Sequence, residues 1–148
     1  MGLQLTRGSE YGIRAMMYLA GRPLGEVCSL RNVGREQAIP ESFLAKIFQS
    51  LVHAGLVVSR RGARGGFALA RPSDQITVRQ VIEAVDGPIA LNGCVLYPES
   101  CERSSDCRMR NVWLCTQQGM TGALDGATFA DLGATAEQAS AAAQPLLQ

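Results

Sequence analysis

Hydrophobic positions along the first third of the chain recur with helical spacing. Between Ser9 and Ala20, the apolar residues Tyr11, Ile13, Met16, Met17, Leu19 and Ala20 fall on more than one face, the pattern of a buried helix. Gly21-Arg22-Pro23 ends it. Ser29 offers an N-cap for a short helix carrying Leu30 and Val33, which stops between Gly34 and Gln37. After an Ala38-Ile39 turn, Pro40 sits where a first helical residue would. The helix from Pro40 to His53 is the clearest in the chain. Leu44, Ile47, Phe48 and Leu51 form one apolar stripe, and Ser42, Lys46, Gln49 and His53 line the opposite side. Gly55 closes it.

The period then changes. Leu56-Val57-Val58-Ser59 and Phe67-Ala68-Leu69 are two short strands around the Gly/Arg-rich loop from Arg60 to Gly66. Thr77-Val78-Arg79-Gln80 matches a capping box and opens a helix with Val78, Val81, Ile82 and Val85 inward, ended by Asp86-Gly87-Pro88. Residues 89–105 read as an irregular loop. A last long helix is expected from about Asp106 to Asp125, with Met109, Val112, Trp113, Thr116, Met120, Ala123 and Leu124 on one side. The Ala-rich tail after Gly133 shows no partner pattern and is expected to be frayed. The fold class is therefore mainly α with a small β-hairpin.

Helix, short turn, amphipathic helix and an Arg/Gly hairpin, in that order, make a winged helix-turn-helix. The short polar side chains of its second helix suit base edges in a major groove. Pro40, Glu41, Ser42, Phe43, Lys46 and Gln49 are the candidate groove residues; Arg60, Arg61, Arg64, Gly65 and Gly66 are the candidate wing contacts. Glycines there let a hairpin tip come close to a sugar–phosphate backbone, and the arginines supply charge for it. His53, the lone histidine, is expected at a helix end or against a phosphate. By itself, a polar helix face is a solvated face and a Gly/Arg hairpin an ordinary turn. No Gly-Lys-Ser/Thr ending makes the loop a phosphate-cradling one.

Charge adds weight to this order. The net charge of +1 hides a balance of +6 over residues 1–72 and −5 over residues 73–148. Only the first half is suited to a polyanion. Of the 14 cations all but Lys46 are arginine, whose planar fork fits phosphate and guanine. No apolar run approaches the roughly 18 residues of a membrane helix, and the N-terminus has no signal-like core. A cytoplasmic protein is expected, with no membrane or small-molecule partner. No catalytic triad, paired acid/base carboxylates or nucleotide motif points to an enzyme.

Five cysteines without an export signal argue against a disulfide framework. Cys94, Cys101 and Cys107 have Cys-x6-Cys-x5-Cys spacing in a loop rich in turn residues, unlike the Cys-x2-Cys pairs of zinc sites. Such spacing suits wrapping of an iron–sulfur cluster, with one ligand position left for another residue. A reactive-thiol cluster and three inert loop cysteines are the other readings. Cys115, on the last helix, and Cys28 are expected to be small buried core residues.

The assembled pattern resembles the Rrf2 family of bacterial iron–sulfur regulators, typified by IscR, NsrR and RirA. The resemblance spans roughly residues 3–132. Its carriers are Leu5-Thr6, Glu10-Tyr11-Gly12-Ile13-Arg14-Ala15, Ile39-Pro40-Glu41-Ser42-Phe43-Leu44-Ala45-Lys46-Ile47, Arg61-Gly62, Gly65-Gly66-Phe67, Val81-Ile82, Ala84-Val85-Asp86-Gly87 and the three spaced cysteines. It implies a homodimer in which the long last helix crosses its mate, with Trp113 an anchor of the seam. It also implies a cluster held by Cys94, Cys101 and Cys107. The IscR-type histidine ligand, three residues after the third cysteine, is replaced here by Arg110. NsrR-type members use an acidic residue in the partner's first helix, and the matching position is Glu10. With three thiolates and no histidine, a 4Fe–4S cluster is favoured over 2Fe–2S. Family members with an acidic base reader carry it where this chain has Ala45.

The expected organisation is a winged helix-turn-helix over 1–87, a cluster loop over 88–106, a dimerisation helix and its end over 107–132, and a flexible tail over 133–148. The expected function is a dimeric transcription regulator on a palindromic double-stranded operator, gated by an iron–sulfur cluster. The alternatives are the same reader with a thiol-redox or protein-partner input, and a small iron–sulfur electron-transfer protein.

Overall fold

The computed structural model describes residues 4–133. The tail beyond Gly133 lies outside them. Helix α1 (Arg7–Ala20) starts at Thr6, whose hydroxyl accepts from the Ser9 amide at 3.1 Å. Helix α2 (Leu30–Gln37) starts at Ser29, capping the Asn32 amide at 3.2 Å. Ala38 then takes the left-handed conformation, φ 51°, and turns the chain into α3 (Glu41–His53). Pro40 is the N-cap of α3 and not its first residue, so the helix starts one residue later than expected; its fixed φ of −57° leads into the helix without a side-chain cap.

Strand β1 (Val57–Arg60) pairs antiparallel with β2 (Gly66–Leu69), with Val57 opposite Leu69 and Arg60 opposite Gly66. Cys28 bridges Phe67 on the other edge of β2, so the segment before α2 extends the hairpin. Helix α4 (Val78–Asp86) has the expected capping box of Thr77 and Gln80. One-turn helix α5 (Gly93–Leu96) and a 3₁₀ turn (Pro98–Ser100) interrupt the cysteine loop expected to be irregular. Helix α6 (Arg108–Gly126) begins two residues later than expected, and α7 (Phe129–Gly133) follows.

The core lies between α1, α3, α4 and the hairpin. Met16, Leu44, Phe48, Leu51, Leu56, Val57, Ile76 and Val81 are buried in it. Phe48 stacks on Phe67 with ring centroids 4.3 Å apart, fixing the hairpin to the back of α3. At the start of α1, Asp86 accepts from Ser9 Oγ at 2.5 Å and from Thr6 Oγ1 at 2.6 Å, which ties the start of α1 to the end of α4.

After α6 the chain returns to this core. Thr77 bridges Thr128, the Phe129 amide donates to Ile76 O at 3.0 Å, and the Phe129 ring is wholly buried. The stripe expected on one side of α6 divides in two. Trp113, Met120 and Leu124 lie at the spacing of Gln117 and are half-buried, whereas Met109, Val112, Thr116 and Ala123 are exposed. The reason is polar: Gln117 is the buried centre of the inner stripe, donating to Ile89 O at 2.5 Å and accepting from the Leu91 amide at 2.9 Å. Hydrophobic patterning does not register a glutamine. Arg79 ties α4 to α6 through Asp125, 2.9 Å away.

Candidate nucleic-acid interface and thiol site

The outward face of α3 follows from its inward one. With Leu44, Ile47, Phe48 and Leu51 buried, the helical period turns Glu41, Ser42, Lys46, Gln49 and His53 to solvent, and all are exposed. Pro40 and Phe43 are exposed as well. Phe43 meets the Tyr11 ring edge-on at 6.2 Å. Arg14 lies 5.7 Å over the same Tyr11 ring and donates to the Gln37 carbonyl at the end of α2. Tyr11 and Arg14 thus brace α3 from α1 and hold the α2–α3 turn. Periodicity alone counts Tyr11 as one more apolar position and gives Arg14 no role; the available signal is an arginine among apolar helix positions.

The hairpin tip presents Arg60, Arg61 and Arg64 to solvent. Among the described residues, none of these three nor Lys46 is engaged in an ion pair or side-chain hydrogen bond. Four cations are therefore available for an external anion. Gly62, at φ 110°, makes the turn, closed by the Gly65 amide donating to Gly62 O at 2.9 Å. Gly65 and Gly66 have a reason inside the chain. A Cβ at Gly65 would collide with Arg60 O, and one at Gly66 with Cys28 O, each well inside 3.0 Å. A cleft of about 430 Å³ separates α3 from the hairpin, lined by Gln49, Val52, His53, Ser59 and Phe67. Reader, cleft and wing form one surface with cations at its edges.

The thiols lie in the second half of the chain and in a different setting. Cys101 is exposed, Cys94 and Cys107 are half-buried, and all three are free. Cys107 is the N-cap of α6, and its side chain makes no capping hydrogen bond to the first-turn amides. One turn on, Arg110 has its Nε shielded from solvent and without an acceptor. The loop is held by local turns, such as the Ser104 amide on Cys101 O at 3.0 Å. Among the described residues, no three His, Cys, Asp or Glu side chains converge on a single metal ion. Three free thiols in one loop are the residue type that holds an iron–sulfur cluster. Glu10 is exposed in the first turn of α1.

The remaining cysteines differ from each other. Cys28 is buried as expected, and burial, then the nearby Glu26, pushes its thiol above the ordinary range, partly opposed by Arg22. Cys115, expected in the core, is exposed: it falls on the outward side of α6, opposite Gln117.

Comparison with known proteins agrees with this architecture. The family described as "Rrf2: Iron-dependent Transcriptional regulator" matches residues 5–135. IscR of T. potens is 30% identical, with 94% of this chain and 92% of that one covered and a TM-score of 0.70. CymR (YrzC), the global cysteine regulator of B. subtilis, is 29% identical, with 89% and 97% covered and a TM-score of 0.72. A putative transcriptional regulator from Listeria innocua is 27% identical, with 92% and 90% covered and a TM-score of 0.76. The likeness extends through the hairpin, the cysteine loop and α6, so it concerns the whole described chain. The chain belongs to the Rrf2 family of winged-helix transcriptional regulators.

Proposed function

We propose that this chain is a homodimeric regulator whose affinity for a palindromic operator is set by an iron–sulfur cluster on Cys94, Cys101 and Cys107. The observation that carries the reading is the pairing of two separate sites on one short chain: a cation-edged reading face and a loop of three uncommitted thiols. Residues 1–87 would serve as the reader and 88–106 as the sensing loop, with α7 returning to complete the reader's core.

Binding to DNA would use α3 in the major groove, with Ser42, Lys46 and Gln49 toward base edges and Pro40, Glu41 and Phe43 at its entry. Arg60, Arg61 and Arg64 would neutralise phosphates or enter a narrow minor groove, and the close packing of Gly65 and Gly66 sets the wing's position. The second copy would cover the outward face of α6, where Val112, Cys115, Thr116, Gly119 and Ala123 are exposed and uncharged.

The cluster, when bound, would supply a group whose presence depends on iron, oxygen or nitric oxide. What this chain's residues do is hold it: three thiolates from the loop, and Glu10 from the partner's α1. Three thiolates with a carboxylate and no histidine favour 4Fe–4S over 2Fe–2S. Glu10 precedes Tyr11, and Tyr11 braces Phe43 on α3. A ligand pull on Glu10 would therefore act on the element that aims the reading helix. A few kcal/mol of differential affinity suffices to change operator occupancy strongly.

A second reading keeps the reader and gives it a thiol-redox or protein-partner input. Exposed Cys101, and the 29% identity to the global cysteine regulator, favour it. Anaerobic purification with iron and sulfide counting separates the two. A brown protein with equal iron and sulfide, bleached by Cys101→Ala, is the expected result. A colourless protein after anaerobic reconstitution would leave the thiol or partner input.

A further inference from the structure

Phe43 sits on the reading face although its neighbours there are polar. Its side chain is 52% exposed, at the first turn of α3, between Ser42 and Lys46. On α3 it lies at the flank of the buried Leu44–Phe48 stripe, outside the core. Nor does it turn freely, because Tyr11 holds its ring edge-on. Beside it, Ser42, Phe43 and Lys46 line a cavity of about 80 Å³ with an apolar interior. That space takes the end of one small group and is too small for a base.

In a major groove one group answers to this description. The C5-methyl of thymine is the apolar feature of the base edges there, and it adjoins the O4 acceptor. We propose that the Ser42/Phe43/Lys46 cavity reads a thymine methyl in each operator half-site, with Phe43 the specificity-determining contact. This deepens the DNA-binding reading above and rests on it. The Phe43 ring and the Lys46 stem receive the methyl, while the Ser42 hydroxyl donates to O4 of the same base. A braced ring suits such a contact, since Tyr11 has already fixed it and little rotamer freedom is lost on binding.

The choice of methyl over phosphate follows from the same residues. Phosphate contacts need donors, and a phenyl ring has none. The wing cations Arg60, Arg61 and Arg64 serve the backbone. Phe43 is left for a base edge.

The test starts from a random pool of duplexes. Those bound by the full-length protein are selected anaerobically, with the protein both as purified and after treatment with iron and sulfide. Each thymine of the selected site is then replaced in turn by deoxyuridine, which removes the methyl and nothing else. One position per half-site should lose affinity about three- to fivefold, the worth of one apolar methyl contact. Placing 5-methylcytosine, paired with guanine, at that position should bind more tightly than cytosine there. Phe43→Ala should bind the thymine and uracil duplexes equally, whereas Phe43→Tyr should keep the difference. If Phe43 only braces α3, Phe43→Ala will weaken both duplexes alike and leave their ratio unchanged, which overturns the proposal. So does a selected site with no uracil-sensitive thymine. Failure to select any sequence would instead overturn the DNA-binding reading on which it rests.

Discussion

Glycine 66 and the three arginines of the hairpin look alike in sequence as wing residues, yet their surroundings separate them. A methyl at 66 would meet the Cys28 carbonyl, and two backbones cannot shift apart without opening the Cys28–Phe67 bridge. Gly66→Ala should therefore cost more than about 2 kcal/mol in urea unfolding, whatever its effect on DNA. Arg64→Ala should leave the urea midpoint unchanged and reduce the salt slope of DNA binding by about one unit. A wild-type slope would remove Arg64 from the phosphate contacts. Cysteines divide in the same way. Burial raises the Cys28 thiol, so the folded chain keeps that proton where the unfolded chain has lost it. Its contribution to stability is full below the ordinary thiol pKa and is lost as pH rises from there through the raised one. Under native conditions iodoacetamide should label Cys101 first and Cys28 only on unfolding, as read by mass spectrometry. At this scale the sequence reveals which residues carry chemistry but not which glycine serves the ligand and which the fold. That distinction lies in contacts between residues far apart in the chain, such as Cys28 and Gly66.

Among the elements, α3 was legible because a strict apolar stripe over thirteen residues leaves one solvent face. The capping box of α4 was legible because two side chains at fixed spacing satisfy two amides. Helix α7 was not: Phe-Ala-Asp-Leu-Gly is too short to show a period, and its place is set by the Thr77–Thr128 bridge. Its ring fills the core nonetheless. Phe129→Ala should destabilise the chain by about 3–5 kcal/mol, seen in thermal or urea unfolding. An unchanged midpoint would mean that α7 is not part of the cooperative unit. The α7 start also carries a pH signature. The Thr128 hydroxyl, then its amide, holds the Asp131 carboxyl below its usual value. That contribution is present above the ordinary carboxylate pKa and is lost as pH falls through the lowered one. Asp131→Asn should flatten the acid side of the stability profile.

For the whole molecule, the face that α6 leaves open matters most. Trp113, which the family resemblance implies as an anchor of the dimer seam, is half-buried beside Gln117, and the exposed side carries Val112, Cys115, Thr116, Gly119 and Ala123. Val112→Asp should shift a dimer toward monomer in sedimentation while leaving the unfolding midpoint of the protomer in place. Trp113→Ala should instead lower that midpoint; dimers unaffected by Val112→Asp would move the seam elsewhere. Family membership makes the chain a transcriptional regulator. Reader and thiol loop belong to one account only if the state of one changes the other. The direct measurement is operator affinity by fluorescence anisotropy under anaerobic conditions, before and after loading with iron and sulfide, for wild type and Cys101→Ala. Wild type should change affinity at least about tenfold between the two states, a coupling of roughly 1.4 kcal/mol, and Cys101→Ala should not change. Equal wild-type affinity in the loaded and unloaded states, with loading proven by iron and sulfide counts, would contradict gating by the cluster.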